Sequence, residues 1–256
     1  MVTIKTPEEI KVMRRANLIV ADILEEIGQM IKPGISTGEL NEKAEDLVKK
    51  KGAEPAFKGY AGFPSALCAS INEEVVHGIP SFKRILKEGD IIGLDFGVCL
   101  NGYYGDAALT VGVGEVSNEA DKLMRVTKES LSLAIDKALV DNRLSDISHA
   151  IQSHVEKEGF SVVRSFVGHG IGKSLHESPQ VPNFGRPNKG IELKAGMVLA
   201  IEPMINAGHS DVVVQKDGWT AVTVDKSLSA HYEHSVAITD DGPFILSRKQ
   251  TTNVSI

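Results

Sequence analysis

Leu86-Lys87-Glu88-Gly89-Asp90-Ile91-Ile92-Gly93-Leu94-Asp95 and Leu193-Lys194-Ala195-Gly196-Met197-Val198-Leu199-Ala200-Ile201-Glu202 read as two versions of one segment. Each opens on Leu-Lys, turns at a glycine, runs into an apolar strand and ends on an acid. The acids stand 202 − 95 = 107 positions apart, and Gly52 and Gly159, each closing a helical stretch, are separated by the same interval. Two landmarks with one offset imply an internal duplication. The expected architecture is α+β: one domain over residues 1–256, with halves of roughly 1–115 and 116–256 built around a shared antiparallel sheet.

The flanking sequence fits that frame. Thr6-Pro7-Glu8-Glu9 is a capping box with proline at the first helical position. The helix it opens is expected to run to about Ile31, before Pro33-Gly34, and a second runs from Ser36 or Thr37 to Gly52. In the second half Ser117 is expected to cap a helix to about Leu139, and Ser145 another that ends at Gly159. Strands are expected at 66–71, 90–98 and 103–113, then at 161–167, 197–204, 219–224 and 232–239.

Composition narrows the function classes. The 256 residues carry a formal net charge of −6, and the basic run Lys49-Lys50-Lys51 falls at a helix end, so no nucleic-acid footprint is present. Two cysteines, Cys68 and Cys99, make no disulfide framework. The N-terminus reaches Glu8 and Glu9 at once, unlike a signal peptide, and no apolar run nears the roughly 20 residues of a membrane span. A cytoplasmic protein is expected, with no membrane partner.

The chemistry concentrates in four acids. Asp95 and Glu202 each lie within an apolar strand, where an ion without a partner is expensive to bury. Asn101-Gly102 is a strong hairpin signal. With a two-residue turn, Asp95 faces Ala108, and Asp106 becomes its diagonal neighbour on the same face, at roughly 7–8 Å. Glu233 opens an apolar strand much as Asp106 does. The offset here is 233 − 106 = 127, so the second half needs a longer excursion within 205–230. Four such acids form a hard, oxygen-rich set suited to divalent metals.

Among eight histidines, His169 stands out because glycines flank it in Gly168-His169-Gly170 and leave its imidazole sterically open. His77 in His77-Gly78-Ile79-Pro80 and His176 in His176-Glu177-Ser178-Pro179 occupy roughly corresponding places, 176 − 77 = 99 positions apart. Both are candidates for hydrogen bonds to a substrate, and surface loop histidines are the competing reading. His149 and His154 read as helix surface, His234 as facing the opposite side of its strand from Glu233, and His209 and His231 as ordinary loop or strand residues. Cys68 beside His77 suggests a cysteine-peptidase pair only weakly, since Cys68 lies in an apolar strand. No P-loop, GxSxG elbow or HExxH helix is present.

Asp95, Asp106, His169, Glu202 and Glu233, in this order and spacing, resemble the five metal ligands of the type I methionine aminopeptidases. Asn72-Glu73-Glu74-Val75-Val76-His77-Gly78-Ile79-Pro80, Gly168-His169-Gly170-Ile171-Gly172, Ala200-Ile201-Glu202-Pro203 and Tyr232-Glu233-His234 carry the likeness, which covers almost the whole chain. It implies the pita-bread fold and two divalent ions, of cobalt, manganese, iron or zinc. Asp95 would hold one ion, His169 and Glu202 the other, and Asp106 and Glu233 would bridge them. The resemblance further implies a metal-activated water as nucleophile, His176 as donor to the scissile carbonyl, His77 near the scissile amide and Glu202 as proton shuttle. Tyr60, Phe63, Cys68 and Trp219, with Phe57 and Leu175, would form a methionine pocket; the family usually has an aromatic residue where Leu175 stands. The partners implied are the N-termini of nascent polypeptides near the ribosome, met by a monomer. Two alternatives stay open: an X-Pro dipeptidase or aminopeptidase of the same fold, and a peptide-binding module without catalysis.

Overall fold

The computed structural model describes residues 2–249. In chain order the first half comprises α1 (Pro7–Gly28), α2 (Thr37–Lys50), β1 (Glu54–Pro55), β2 (Leu67–Ile71), β3 (Glu74–Val76), β4 (Ile91–Leu100) and β5 (Tyr103–Gly112). The second comprises α3 (Asn118–Ile135), α4 (Leu144–Lys157), β6 (Ser161–Val162), β7 (Gly168–Gly170), β8 (Glu177–Val181) and β9 (Val198–Ile201). It continues through β10 (Met204–Asn206), β11 (Val212–Val214), β12 (Ala221–Thr223), β13 (Ser229–His231), β14 (Glu233–Thr239) and β15 (Gly242–Ile245). Two helices precede the main antiparallel pair in each half, β4 with β5 in the first and β9 with β14 in the second.

One nine-stranded antiparallel sheet follows the order β1-β4-β5-β14-β9-β7-β8, with β2 on β4 and β15 on β14. The halves meet where Glu233 pairs with Ala108 and His234 with Ala107. Side chains alternate across a strand, and this parity sorts the sheet. Leu94, Phe96 and Val98 of β4 pack with Val20, Ile23, Ile27 of α1 and Leu40, Ala44, Leu47 of α2. Leu199, Ile201, Val236 and Ile238 pack with the apolar faces of α3 and α4 in the same manner. All four helices therefore cover one face of the sheet, and burying each Leu or Ile there contributes about 1.5–3 kcal/mol. Asp95, with the opposite parity, points away from the helices.

Several boundaries differ from the sequence expectation, each for a local reason. The first helix ends at Gly28, where the N–H groups of Met30 and Ile31 bond back to Ile27 and Gly28 and tighten the last turn. The third ends at Ile135, four residues early. The fourth starts at Leu144 with Arg143 as its cap, because Asp146 accepts the Arg143 N–H at 2.8 Å. Ser145 spends its hydroxyl on the Lys189 carbonyl, at 2.7 Å. The expected strand 197–204 is broken at Glu202-Pro203. Proline lacks the ladder N–H, and β10 on its far side belongs to a separate three-stranded sheet, β13-β10-β6. The excursion within 205–230 holds β11, β12 and the start of β13, and β12 pairs with both β11 and β3.

Candidate metal centre and substrate pocket

The hairpin at Asn101-Gly102 sets the site. Both residues have positive φ, 52° and 77°, the requirement of a type I′ turn. The register that results pairs Leu100 with Tyr103, Asp95 with Ala108, and Gly97 with Asp106. Cys68, Asp95, Ala108 and Glu233 then stand in one row across four strands, so their side chains share a face. Asp106 joins that face two residues from Ala108. On the far side His169 pairs with Ala200 and Ala200 with Ser235, two residues beyond Glu233. Sheet parity alone thus directs Asp95, Asp106, His169, Glu202 and Glu233 to the helix-free face.

These groups converge. Ligand atoms of Asp106, His169 and Glu233 lie within 4.8 Å of one another, and His169 Nε2 lies 3.5 Å from a Glu202 oxygen. Asp106 and Glu233 are buried. Asp95 Oδ1, Asp106 Oδ1 and Glu233 Oε1 are buried without any hydrogen-bond partner among the described residues. Burial pushes Asp95 up to about 7 and raises Asp106, Glu202 and Glu233 well above the usual carboxylate range, with mutual repulsion adding to the last three. Orphaned acceptors in this number fit divalent cations.

His169 is prepared for the same task. Its Nδ1 lies 2.9 Å from the Gly170 carbonyl, which can only accept, so Nδ1 carries the proton and Nε2 keeps a lone pair toward the acids. Burial first, then His176, lowers its pKa to about 4, so the ring is neutral near pH 7. Gly168 is required by space: a Cβ there would stand 2.4 Å from the Ala200 carbonyl oxygen.

Beside the acids lies a cavity of about 190 Å³. That is below the roughly 300–1,000 Å³ of pockets for drug-sized ligands and suits a single side chain. All the residues singled out from the sequence line it. Phe57, Tyr60, Phe63, Cys68, Leu175 and Trp219 supply its largely apolar wall, and His77 and His176 its imidazoles. Phe63 meets Trp219 edge-on at 5.2 Å. Phe57 reaches the cavity because Gly97 has no side chain; a Cβ there would fall 2.6 Å from the Phe57 ring. His77 sits at φ 61°, turned between Phe166 at 5.5 Å and Trp219 at 6.3 Å. Burial, then His176, lowers its pKa to about 4. Burial, with Asp95, Asp106 and Glu233 nearby, raises the Cys68 thiol well above its ordinary value, which removes the thiolate that a cysteine nucleophile needs.

Sequence reasoning missed several neighbours. Val76, Phe166, Val167 and Met204 complete the cavity lining. His231, read as an ordinary residue, is buried with its Nε2 3.7 Å from Glu202 and no hydrogen-bond partner among the described residues. Ser235 donates its hydroxyl to the Asp106 carbonyl at 2.8 Å. His234 bonds Ser247 at 2.7 Å, away from the acids.

The family model for metallopeptidase family M24 matches residues 11–240. The methionine aminopeptidase of Clostridium acetobutylicum is 56% identical over 247 residues, which is 96% of this chain and 99% of that relative. The chain belongs to metallopeptidase family M24, in its methionine aminopeptidase branch. The crystal structure of methionine aminopeptidase from Thermotoga maritima superposes with a TM-score of 0.96 at 48% identity, covering 97% of this chain and 100% of that one. The Xaa-Pro dipeptidase of Bacillus anthracis shares the fold, at a TM-score of 0.77 and 22% identity; this chain covers 62% of it. As in its M24 relatives, the fold here is the pita-bread α+β arrangement, and no helix among the described residues is long and apolar enough to cross a membrane.

Proposed function

We propose that this chain removes the N-terminal methionine from newly made proteins and peptides, with preference for a small second residue. The observation that carries the reading is the juxtaposition of three carboxylates with buried, unpartnered oxygens, a fourth at Glu202 and a neutral imidazole with an apolar pocket sized for one side chain. Asp95, Asp106, His169, Glu202 and Glu233 would hold two divalent ions. Bound there, the ions supply Lewis acidity and a water of lowered pKa.

The rest falls to the protein's own side chains. Phe57, Tyr60, Phe63, Cys68, Leu175 and Trp219 hold the methionine thioether, which suits aromatic and sulfur contacts. His176 donates to the scissile carbonyl, where negative charge develops, and His77 contacts the scissile amide. Glu202 carries the proton from nucleophile to leaving amine. The carboxylate-rich donor set accepts cobalt, manganese, iron or zinc. We further propose that the chain acts as a cytoplasmic monomer on N-termini emerging near the ribosome.

Methionine release from Met-Ala-Ser, with and without chelator, tests the reading in wild type and Asp106→Ala. Release is expected only from the untreated wild type. Activity in the variant that resists chelator would reject the metal mechanism. Hydrolysis of Ala-Pro substrates without release from Met-Ala-Ser would point to an X-Pro peptidase, and a folded, metal-supplemented protein inert on both would point to a binding module.

A further inference from the structure

Tyr60 and His176 are joined by a hydrogen bond of 2.7 Å between the phenol oxygen and Nδ1, across 116 residues of sequence. The rings lie 5.1 Å apart, tilted by 48°. On its other side His176 meets the ring of His169 at 4.2 Å. Tyr60 is held for this contact by an unusual turn. Gly59, Ala61 and Gly62 all have positive φ, at 85°, 46° and 91°, and together they swing the tyrosine from the first half toward the loop of the second.

That loop is itself pinned. Glu177, next to His176, accepts from Lys5 Nζ at 2.7 Å and from the Ser174 N–H at 3.2 Å. The backbone at His176 is thereby fixed, and what remains open is which ring nitrogen carries the proton. A neutral imidazole has one N–H, and the hydrogen bond at one nitrogen selects the role of the other. If Nδ1–H donated a hydrogen bond to the phenol oxygen, Nε2 would present a lone pair to the carbonyl oxygen of a substrate and repel it. If the phenol O–H donates a hydrogen bond to Nδ1, the ring's own proton sits on Nε2, which is left as a donor.

We propose that Tyr60 is a positioning residue whose hydroxyl donates to His176 Nδ1 and so keeps Nε2–H as the donor toward the scissile carbonyl. The inference rests on the functional reading above, and assigns Tyr60 a second task besides lining the pocket. It also makes the donor a joint product of the two halves of the chain.

The test uses zinc-loaded, ¹⁵N-histidine-labelled enzyme, with the His176 signals assigned by His176→Gln. Long-range proton–nitrogen correlation is expected to show Nε2–H in the wild type and averaged nitrogen shifts in Tyr60→Phe. In the same variant kcat on Met-Ala-Ser should fall about threefold to tenfold while KM stays within about twofold. Tyr60→Leu, which also removes the ring, should raise KM as well. An Nδ1–H tautomer in the wild type would overturn the proposal. So would a Tyr60→Phe enzyme with unchanged spectrum and kcat, since Tyr60 would then be pocket wall alone. A wild type that shows Nε2–H but releases no methionine would sink the reading of the reaction itself, while leaving the hydrogen bond in place.

Discussion

Asn17, in the middle of α1, accepts a hydrogen bond from the backbone N–H of Asp106 at 3.3 Å. Its own amide donates to the Met13 carbonyl at 2.9 Å, and a Cβ on Gly105 would fall 2.7 Å from the Asn17 nitrogen. The helix thus touches the sheet at the backbone of Asp106. Asn17→Leu keeps the side chain's approximate shape and removes one of the two acceptors of that N–H, the other being the Ser235 hydroxyl at 3.3 Å. It is expected to lower stability by about 0.5–1.5 kcal/mol and to weaken metal binding through Asp106. Urea unfolding and metal titration check both; unchanged values in both would reject the support role.

The buried acids give the metal-free protein an unusual pH profile. Asp95 is raised to about 7, and Asp106, Glu202 and Glu233 are raised further above their ordinary range. A raised carboxylate keeps its proton in the folded state after the unfolded chain has lost it, so stability grows as pH falls. Below 6.5 the buried histidines act the other way: His77, His169 and His234 are lowered to about 4, and His231 to about 3. The unfolded chain takes up protons there that the folded state refuses. Metal-free protein should therefore gain stability as pH falls through about 7, and level off below about 6.5, where protons taken up by the unfolded chain's histidines offset those held by the folded acids. Thermal unfolding across this range, without and with saturating divalent ion, is the measurement. Stability that fell steadily from the alkaline end would contradict the assignment.

Gly168→Ala tests close packing at the metal centre. The added methyl would meet the Ala200 carbonyl oxygen at 2.4 Å and Val181 Cβ at 3.2 Å, and neither can yield without parting β7 from its neighbours. A loss of about 1–3 kcal/mol is expected, with weaker metal binding because His169 follows directly. A wild-type Tm in this variant would show that the strands adjust freely.

The pair Lys5–Glu177 is nearly enclosed, at 2.7 Å with side chains 3% and 13% exposed. Lys5→Met strands the carboxylate and should cost about 3 kcal/mol. Adding Glu177→Gln removes the stranded charge, so the double variant should recover much of the loss. Simple additivity of the two substitutions in denaturant unfolding would mean that the pair does not couple.

Much of this site could be read from local chemistry. Asn101-Gly102 dictates its own turn, the turn dictates the register, and the register places Asp95 and Asp106 on one face. The repeat at Asp95 and Glu202 needed only a shared offset. Other parts depend on tertiary placement. His231 comes to Glu202 because Pro203 sends the chain into another sheet, which no periodicity reports, and Phe166 reaches the cavity from the connection before β7 and Met204 from the start of β10. Asn17 had a signal that went unused: it lies on the buried stripe of α1 with Met13, Val20 and Leu24, and a polar residue on an apolar stripe asks for a partner. The methionine pocket followed from resemblance, since separate segments combine to build it.

The pairing of β5 with β14 has a consequence for synthesis. β5 is complete at Gly112, yet its neighbour begins at Glu233. While the intervening residues are being made, the first hairpin has an unsatisfied edge and two acids without their counterparts. Translation must pass β14, at Glu233–Thr239, before the sheet can be joined. A product terminated early has no centre at all, and working enzyme appears only with the final strands.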